Sequence, residues 1–188
     1  MGATLQSLLV SFLTLLQLCF GILRWQTPAP VCYEITNGQR FLHPSNAVDP
    51  NIHHLQFAVV SPNRTAFASW KLIPTYPSCF RLCNVRTGLY LMVAENDRVY
   101  SVHPNLLNSF PQSGLIFGPS YPNWPTSHDA RITNTLKMYQ LCASVNLEPS
   151  GLEQMIVTLP TQGTMSPNPG DCSWQLHQQT VCPNDDLC

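Results

Sequence analysis

Charge is scarce in this sequence. Its 188 residues contain nine Lys and Arg against ten Asp and Glu, the formal net charge is −1, and no basic run occurs. All of the Lys and Arg residues lie before residue 138, and residues 138–188 contain five acids. Nucleic acids and anionic membrane surfaces attract clustered positive charge, so this composition excludes both as partners.

Motifs for catalysis, phosphate binding and metal binding are also missing. The sequence has no G-x-S-x-G, no HExxH, no Gly-rich phosphate loop and no C-x₂-C pair. His53 and His54 are adjacent, and neighbours on an extended chain point apart, which argues against a ligand pair. A Cys–His nucleophile pair could be assembled from Cys83 or Cys142, but paired or packed cysteines are the favoured interpretation. We therefore expect a non-enzymatic protein without metal or cofactor.

The chain begins with a segment typical of a secretory signal. Residues 8–20 are apolar but short, and Gly21 supplies the small residue that signal peptidase prefers, so cleavage is predicted after residue 21. A retained signal anchor is the alternative. No later segment reaches the length of a membrane span. The sequence thus predicts a secreted, extracellular chain with an extended lead-in over residues 22–31.

Three similar stretches follow one another along the mature chain. Each opens with an aromatic residue, a spacer and an aliphatic residue, at Tyr33–Leu42, Phe80–Leu91 and Tyr139–Ala143. Each closes on a similar tag, at Ser69–Leu72, Ala130–Ile132 and Ser173–Leu176. Three short all-β units cannot each bury a core, so they must share one. This pattern resembles the β-trefoil superfold, which implies an all-β, disulfide-braced domain over residues 32–182, with an insertion at 104–128 and a tail at 183–188.

Secretion gives the cysteines a structural meaning. Of eight cysteines, Cys19 lies in the leader, which leaves seven and therefore one without an intramolecular partner. Cys83 and Cys142 have the same offset from their opening aromatics, which predicts that they lie on equivalent first strands and pair. Closure of the barrel predicts a second pair, Cys32 with Cys182.

Two surface features are candidates for recognition and modification. The insertion over 104–128 is rich in proline and aromatics and is predicted to be a long ordered loop. Within it, Trp124, Tyr121 and Asn123 are the predicted binding residues, although Trp124 could instead anchor the loop on the barrel. Asn63-Arg64-Thr65 is an N-glycosylation sequon in a predicted turn, so Asn63 is the candidate acceptor.

Two families resemble parts of the chain. Residues 36–44 and 84–101 are similar to the first and second repeats of fibroblast growth factors, and the Trp70 and Trp174 tags resemble the repeat ends of ricin-type lectins. The first resemblance implies a growth-factor or cytokine-like receptor ligand, and the second implies a lectin. Low charge and abundant amides and hydroxyls favour carbohydrate recognition, so we predict an extracellular glycan as partner. A cell-surface protein receptor is the first alternative and protease inhibition the second.

Overall fold

The computed structural model describes residues 31–76, 79–119, 132–136, 139–144, 152–160, 172–182 and 187–188, and these residues form twelve strands. The strands are β1 (Cys32–Asn37), β2 (Arg40–Asp49), β3 (Ile52–Ser61), β4 (Ser69–Tyr76), β5 (Cys79–Asn84), β6 (Tyr90–Val93), β7 (Val99–Val102), β8 (Phe117–Pro119), β9 (Ile132–Asn134), β10 (Tyr139–Ala143), β11 (Gln154–Pro160) and β12 (Gln175–Gln178). Short 3₁₀ helices span Ala66–Ala68, Pro104–Ser109 and Gln112–Leu115. No helix within the described ranges has the length and apolarity needed to cross a membrane.

The pairing of the strands is that of a β-trefoil. Six strands follow one another along a barrel wall in the order β12, β1, β4, β5, β8, β9. The other six form three antiparallel hairpins, β2–β3, β6–β7 and β10–β11, and β3 pairs with both β7 and β11 to join them into a cap. Four consecutive strands therefore make one unit, and the predicted fold of three units around one core is confirmed.

The register of the hairpins identifies equivalent residues in the three units. An asparagine ends the first strand of each unit and faces the first residues of the second strand: Asn37 faces Arg40, Asn84 faces Leu89 and Asn134 faces Tyr139. The predicted opening of unit three at Tyr139 was wrong, because Tyr139 begins the second strand of that unit. Unit three opens at Ile132, a residue predicted to close unit two. Unit two instead closes at Phe117, whose cross-strand partner is Asn134.

The barrel core repeats with the units. Buried aliphatic residues hold equivalent places on the first and second strands: Ile35, Leu82, Ile132, Leu42, Leu91 and Leu141. Trp70 and Trp174 close units one and three, are fully buried, and donate through Nε1 to the Leu42 carbonyl at 2.8 Å and the Leu141 carbonyl at 2.9 Å. Both indole N–H groups are thus satisfied, as burial requires. Trp70 and Trp174 are therefore structural residues of the core.

Three disulfides brace the domain. Cys32–Cys182 joins the start of β1 to the segment after β12, as predicted from barrel closure. Cys83 pairs with Cys188 and Cys142 with Cys172, so the predicted Cys83–Cys142 pair was wrong. The reason is the register: Cys83 lies on a first strand, β5, whereas Cys142 lies on a second strand, β10. Among the described residues, Cys79 is not disulfide-bonded.

The predicted insertion at 104–128 contains more regular structure than expected. Its first part forms two 3₁₀ helices, and Phe117–Pro119 is barrel strand β8 rather than loop. Phe117 is fully buried and pairs with Phe80, so its side chain is part of the core. The candidate binding residues Trp124, Tyr121 and Asn123 lie outside the described residues, as does the predicted leader at 1–21.

Candidate functional site

A cleft lies beside an irregular stretch of β2. The strand runs to Asp49 with register shifts after Pro44 and at Val48. Proline cannot donate to a ladder, and bulges accommodate it while turning neighbouring side chains outward. The cleft beside this bulge has a volume of about 440 Å³, within the usual range of small-molecule sites. We call it the polar cleft; it is lined by His43, Pro44, Ser45, Asn46, Gln56, Ser61, Asn63, Thr65, Phe67, Thr87, Leu89 and Glu153.

One part of the lining of the polar cleft is a carboxylate next to an imidazole. The Ser45 hydroxyl donates to Oε2 of Glu153 at 2.7 Å, and Oε1 of Glu153 lies 4.0 Å from Nε2 of His43. The His43 side chain is only 8% exposed, and its Nε2 has no hydrogen-bond partner among the described residues. A buried polar atom without a hydrogen bond costs free energy, so Nε2 can gain from a polar group that enters the cleft.

Hydrogen bonding fixes the proton on the His43 ring. Nδ1 lies 2.9 Å from the carbonyl oxygen of Pro44, and a carbonyl can only accept, so Nδ1 carries the hydrogen. In the neutral ring Nε2 is then an acceptor. With a neutral ring, the lining of the cleft offers two acceptors, Nε2 of His43 and the carboxylate of Glu153, to a donor on a ligand.

Glu153 comes from unit three and is positioned by unit one. Strand β11 starts at the next residue and pairs with β3, Gln154 facing Val60. The Arg40 guanidinium donates to the Leu152 carbonyl at 2.8 Å, which fixes the backbone just before Glu153. The cleft thus forms only when the units have docked.

Asn84 fixes another part of the cleft lining. Its side chain donates to the Phe67 carbonyl at 2.6 Å, and its Oδ1 accepts from both the backbone N–H and the hydroxyl of Thr87 at 3.2 and 3.1 Å. Phe67 is 43% exposed and lines the cleft with Thr87. Asn84 therefore fixes the backbone of Phe67 and the side chain of Thr87, two residues of the same cleft.

The described contacts in the polar cleft are those of acceptors, amides and hydroxyls. The Ser45 hydroxyl donates to a carboxylate and not to His43, so the described contacts contain no serine–imidazole nucleophile pair. The described residues contain no group of three His, Cys, Asp or Glu able to hold a metal ion. What remains is a set of acceptors, amides and hydroxyls around one aromatic face.

The equivalent position in unit two is apolar. Met92 holds on β6 the place that His43 holds on β2, since Phe41 and Tyr90 face equivalent first-strand residues. The cleft there has a volume of about 350 Å³ and is lined by Met92, Phe110, Pro111, Leu136 and Ile52 with the 93–96 turn. The same place in the fold therefore carries different chemistry in the two units, and only unit one presents the buried imidazole.

A wider groove of about 690 Å³ lies beside the polar cleft, along β1 and β12. Two pairs of its polar groups already bind one another: Arg64 donates to Glu34 at 2.7 Å, and Thr36 lies 3.3 Å from Nε2 of His177. Because those groups are satisfied, the polar cleft is the better candidate site.

Of the residues that line this cleft, the sequence pointed to one, and for another role. Asn63, predicted as a glycosylation acceptor, is exposed and lines the cleft. His43, Glu153 and Phe67 come from three separate segments and share no motif. The one usable signal was Pro44 next to an aliphatic strand pattern, since proline in a strand marks an edge or a bulge.

The comparisons with known proteins support the fold alone. No protein-family model and no curated protein matches the sequence. Among solved structures, a Caenorhabditis elegans protein with unknown function superposes with a TM-score of 0.60 at 12% identity, over 79% of this chain and 94% of that one. A designed 3-fold symmetric protein, ThreeFoil, gives 0.56 at 12% identity, over 77% and 96%. A Polyporus squamosus lectin, solved with a human-type influenza-binding epitope, gives 0.55 at 12% identity, over 79% of this chain and 49% of the lectin. The chain is therefore a β-trefoil that shares its architecture with a designed three-fold protein and a lectin.

Proposed function

We propose that this protein is a secreted, non-enzymatic β-trefoil that binds a neutral glycan in the polar cleft. The observation that carries the proposal is the buried Nε2 of His43, an acceptor without a hydrogen-bond partner beside the Glu153 carboxylate. These two acceptors lie 4.0 Å apart, a separation that two neighbouring sugar hydroxyls can serve, one donor to each acceptor. A donor from the ligand would remove the cost of about 1 to 3 kcal/mol of a buried unsatisfied group.

The rest of the cleft suits a sugar. Phe67 offers an apolar face for the C–H side of a pyranose ring, and aromatic side chains give large contact area with few rotors to freeze. Asn46, Gln56 and Thr87 supply amide and hydroxyl groups on the same cleft. Site residues of this mixture, mostly fixed and partly apolar, are typical of small-ligand pockets.

The charge of the cleft favours neutral sugars. Its lining contains one carboxylate, Glu153, and no Lys or Arg. A sulfated or acidic sugar would place like charges together without a compensating cation, which costs free energy. The ligand class is therefore a neutral hexose or N-acetylhexosamine unit.

Secretion is supported by the three disulfides, which form and persist in oxidising compartments. The lectin among the structural neighbours is compatible with glycan recognition on this architecture. Fold does not imply function, so the cleft itself carries the argument.

The test is a glycan array followed by calorimetric titration of the strongest neutral ligand. Glu153→Gln should weaken binding about tenfold or more, because hydrogen bonds to charged groups contribute about 1.5 to 3 kcal/mol. Phe67→Ala should weaken it about fivefold or more, the usual threshold for a binding anchor. The matched control is Glu95→Gln, an exposed carboxylate in the turn after β6, which should bind as the wild type does. The proposal fails if no form of the protein, with or without an N-glycan, binds a neutral glycan, or if the ligand it binds is insensitive to both cleft variants.

A further inference from the structure

We propose that an N-glycan attached to Asn63 occupies the polar cleft of its own chain and thereby controls access of external glycans. The inference rests on the proposed function, because it assigns the modification that regulates the same site. It starts from the position of the sequon: Asn63 and Thr65 both line the polar cleft, whereas Arg64 lines the neighbouring groove.

The contacts of Arg64 and Thr65 set the two sides of the sequon. Arg64 is held on the groove side by its 2.7 Å contact with Glu34. Thr65 lines the cleft, and its hydroxyl oxygen accepts from the N–H of Phe67 at 3.3 Å and caps the 3₁₀ helix. Asn63 lines the cleft together with Thr65, so a sugar joined to its amide starts at the cleft.

The acceptor is accessible and its turn is ordered. Asn63 is exposed, and its backbone N–H donates to the Ser61 hydroxyl at 3.3 Å. Glycosylation joins Nδ2 of Asn63 to the anomeric carbon of the first sugar of a lipid-diphosphate oligosaccharide donor. The lipid diphosphate leaves, and the amide gives up one proton, so the product is a neutral N-glycosyl amide. An attached chain of neutral sugars therefore starts at the edge of a cleft suited to neutral sugars.

Tethering makes even weak recognition effective. A ligand joined to its site by a short flexible link has an effective concentration in the millimolar range. A cleft with a dissociation constant of about 0.1 mM for such sugars would then be filled about nine-tenths of the time, and the apparent affinity for an external glycan would fall about tenfold.

The experiment compares glycoforms of the secreted full chain. Intact mass first establishes occupancy of Asn63 in the wild type and its loss in Asn63→Gln and Thr65→Ala. Titration with the neutral glycan selected on the array follows. We expect both unglycosylated variants to bind about tenfold more tightly than the wild type. Trimming the wild-type glycan to its first sugar should restore part of the difference.

A second measurement needs no external ligand. If the attached glycan contacts the cleft, it raises the melting temperature. This gain should be smaller in Glu153→Gln, because residues in contact are energetically coupled. It should be unchanged in Glu95→Gln. The inference is overturned if Asn63 is unoccupied after secretion, or if the glycan neither weakens external binding nor couples to Glu153. Equal, measurable glycan binding by all glycoforms would overturn this inference and leave the proposed function standing. Absence of glycan binding by every form, trimmed and unglycosylated included, would instead overturn the proposed function.

Discussion

Asp49 at the tip of the first hairpin allows the sharpest test of how the units are joined. Its carboxylate is 1% exposed, and Oδ2 accepts from the Tyr100 hydroxyl at 2.7 Å and from Nη1 of Arg98 at 3.2 Å. Oδ1 accepts from the backbone N–H of Asn51 at 2.8 Å. Since Arg98 and Tyr100 belong to unit two, this one carboxylate fixes the cap of unit one against its neighbour.

Asp49→Asn should lose the two contacts at Oδ2 and keep the one at Oδ1. A buried hydrogen bond to a charged group contributes about 1.5 to 3 kcal/mol, which we assign to Tyr100. Arg98 is 38% exposed, so its share is that of a surface pair, about 0.2 to 1 kcal/mol. The expected loss in the free energy of unfolding is therefore about 2 to 4 kcal/mol, or roughly 4 to 16 °C in melting temperature for a domain of this size.

The pH dependence has a definite sign. The Tyr100 hydroxyl chiefly, helped by the Asn51 N–H and by Arg98, lowers the pKa of Asp49 against the opposing effect of burial. A lowered folded-state pKa stabilises the protein above the unfolded value, about 3.9, and that stabilisation is lost as pH falls through the folded value. The difference between wild type and Asp49→Asn should thus be constant from about pH 7 to pH 5 and shrink below about pH 4.

Urea unfolding at several pH values measures both effects. Glu95→Gln, at an exposed carboxylate, is the matched control and should change stability by less than about 0.5 kcal/mol. Combining Asp49→Asn with Tyr100→Phe should cost less than the sum of the single changes, because the two groups share one hydrogen bond. A cost under about 0.5 kcal/mol, or a difference that does not change on acidification, would refute the reasoning.

Three further changes test the frame around the cleft. Asn84→Ala should cost about 2 kcal/mol or more in urea unfolding, because it removes three hydrogen bonds and leaves their partners unpaired; a neutral result would contradict the organising role of this residue. Replacing Cys142 and Cys172 by serine opens a 30-residue loop and should cost about 3 to 4 kcal/mol in thermal melts under non-reducing conditions. Gly114→Ala would place a Cβ 2.6 Å from the Val93 carbonyl oxygen, so a loss of about 1 to 3 kcal/mol is expected, and an unchanged melting temperature would show that this close approach is not rigid.

The sequence predicted the architecture because the fold repeats its own pattern. Because the three units are built alike, their sequences resemble one another, and this similarity is visible along the chain. Closure of the barrel brings the two ends of the domain together, and this predicted the Cys32–Cys182 bond. The start of unit three was predicted wrongly because Tyr139, on the second strand of that unit, has the same sequence pattern as the aromatic residues that open units one and two. Only the pairing of Phe117 with Asn134 shows where unit two ends, and that pairing is made between segments that share no local signal.

The cleft could not be predicted for a related reason. His43, Phe67 and Glu153 converge through hydrogen bonds made by Arg40 and Asn84, and neither of these contacts is encoded by spacing along the chain. Low charge and abundant amides favoured a glycan as partner, but the cleft that we propose for it depends on how β2 bulges after Pro44.

The Cys32–Cys182 bond also decides what proteolysis can do to this protein. It closes a covalent ring across 150 residues of sequence, which includes most of the trefoil. A single backbone cut anywhere inside that ring leaves one covalently linked molecule, which separates only on reduction. A protease that cuts one surface connection would therefore produce a two-chain form of the domain, visible as two fragments only after the disulfides are reduced.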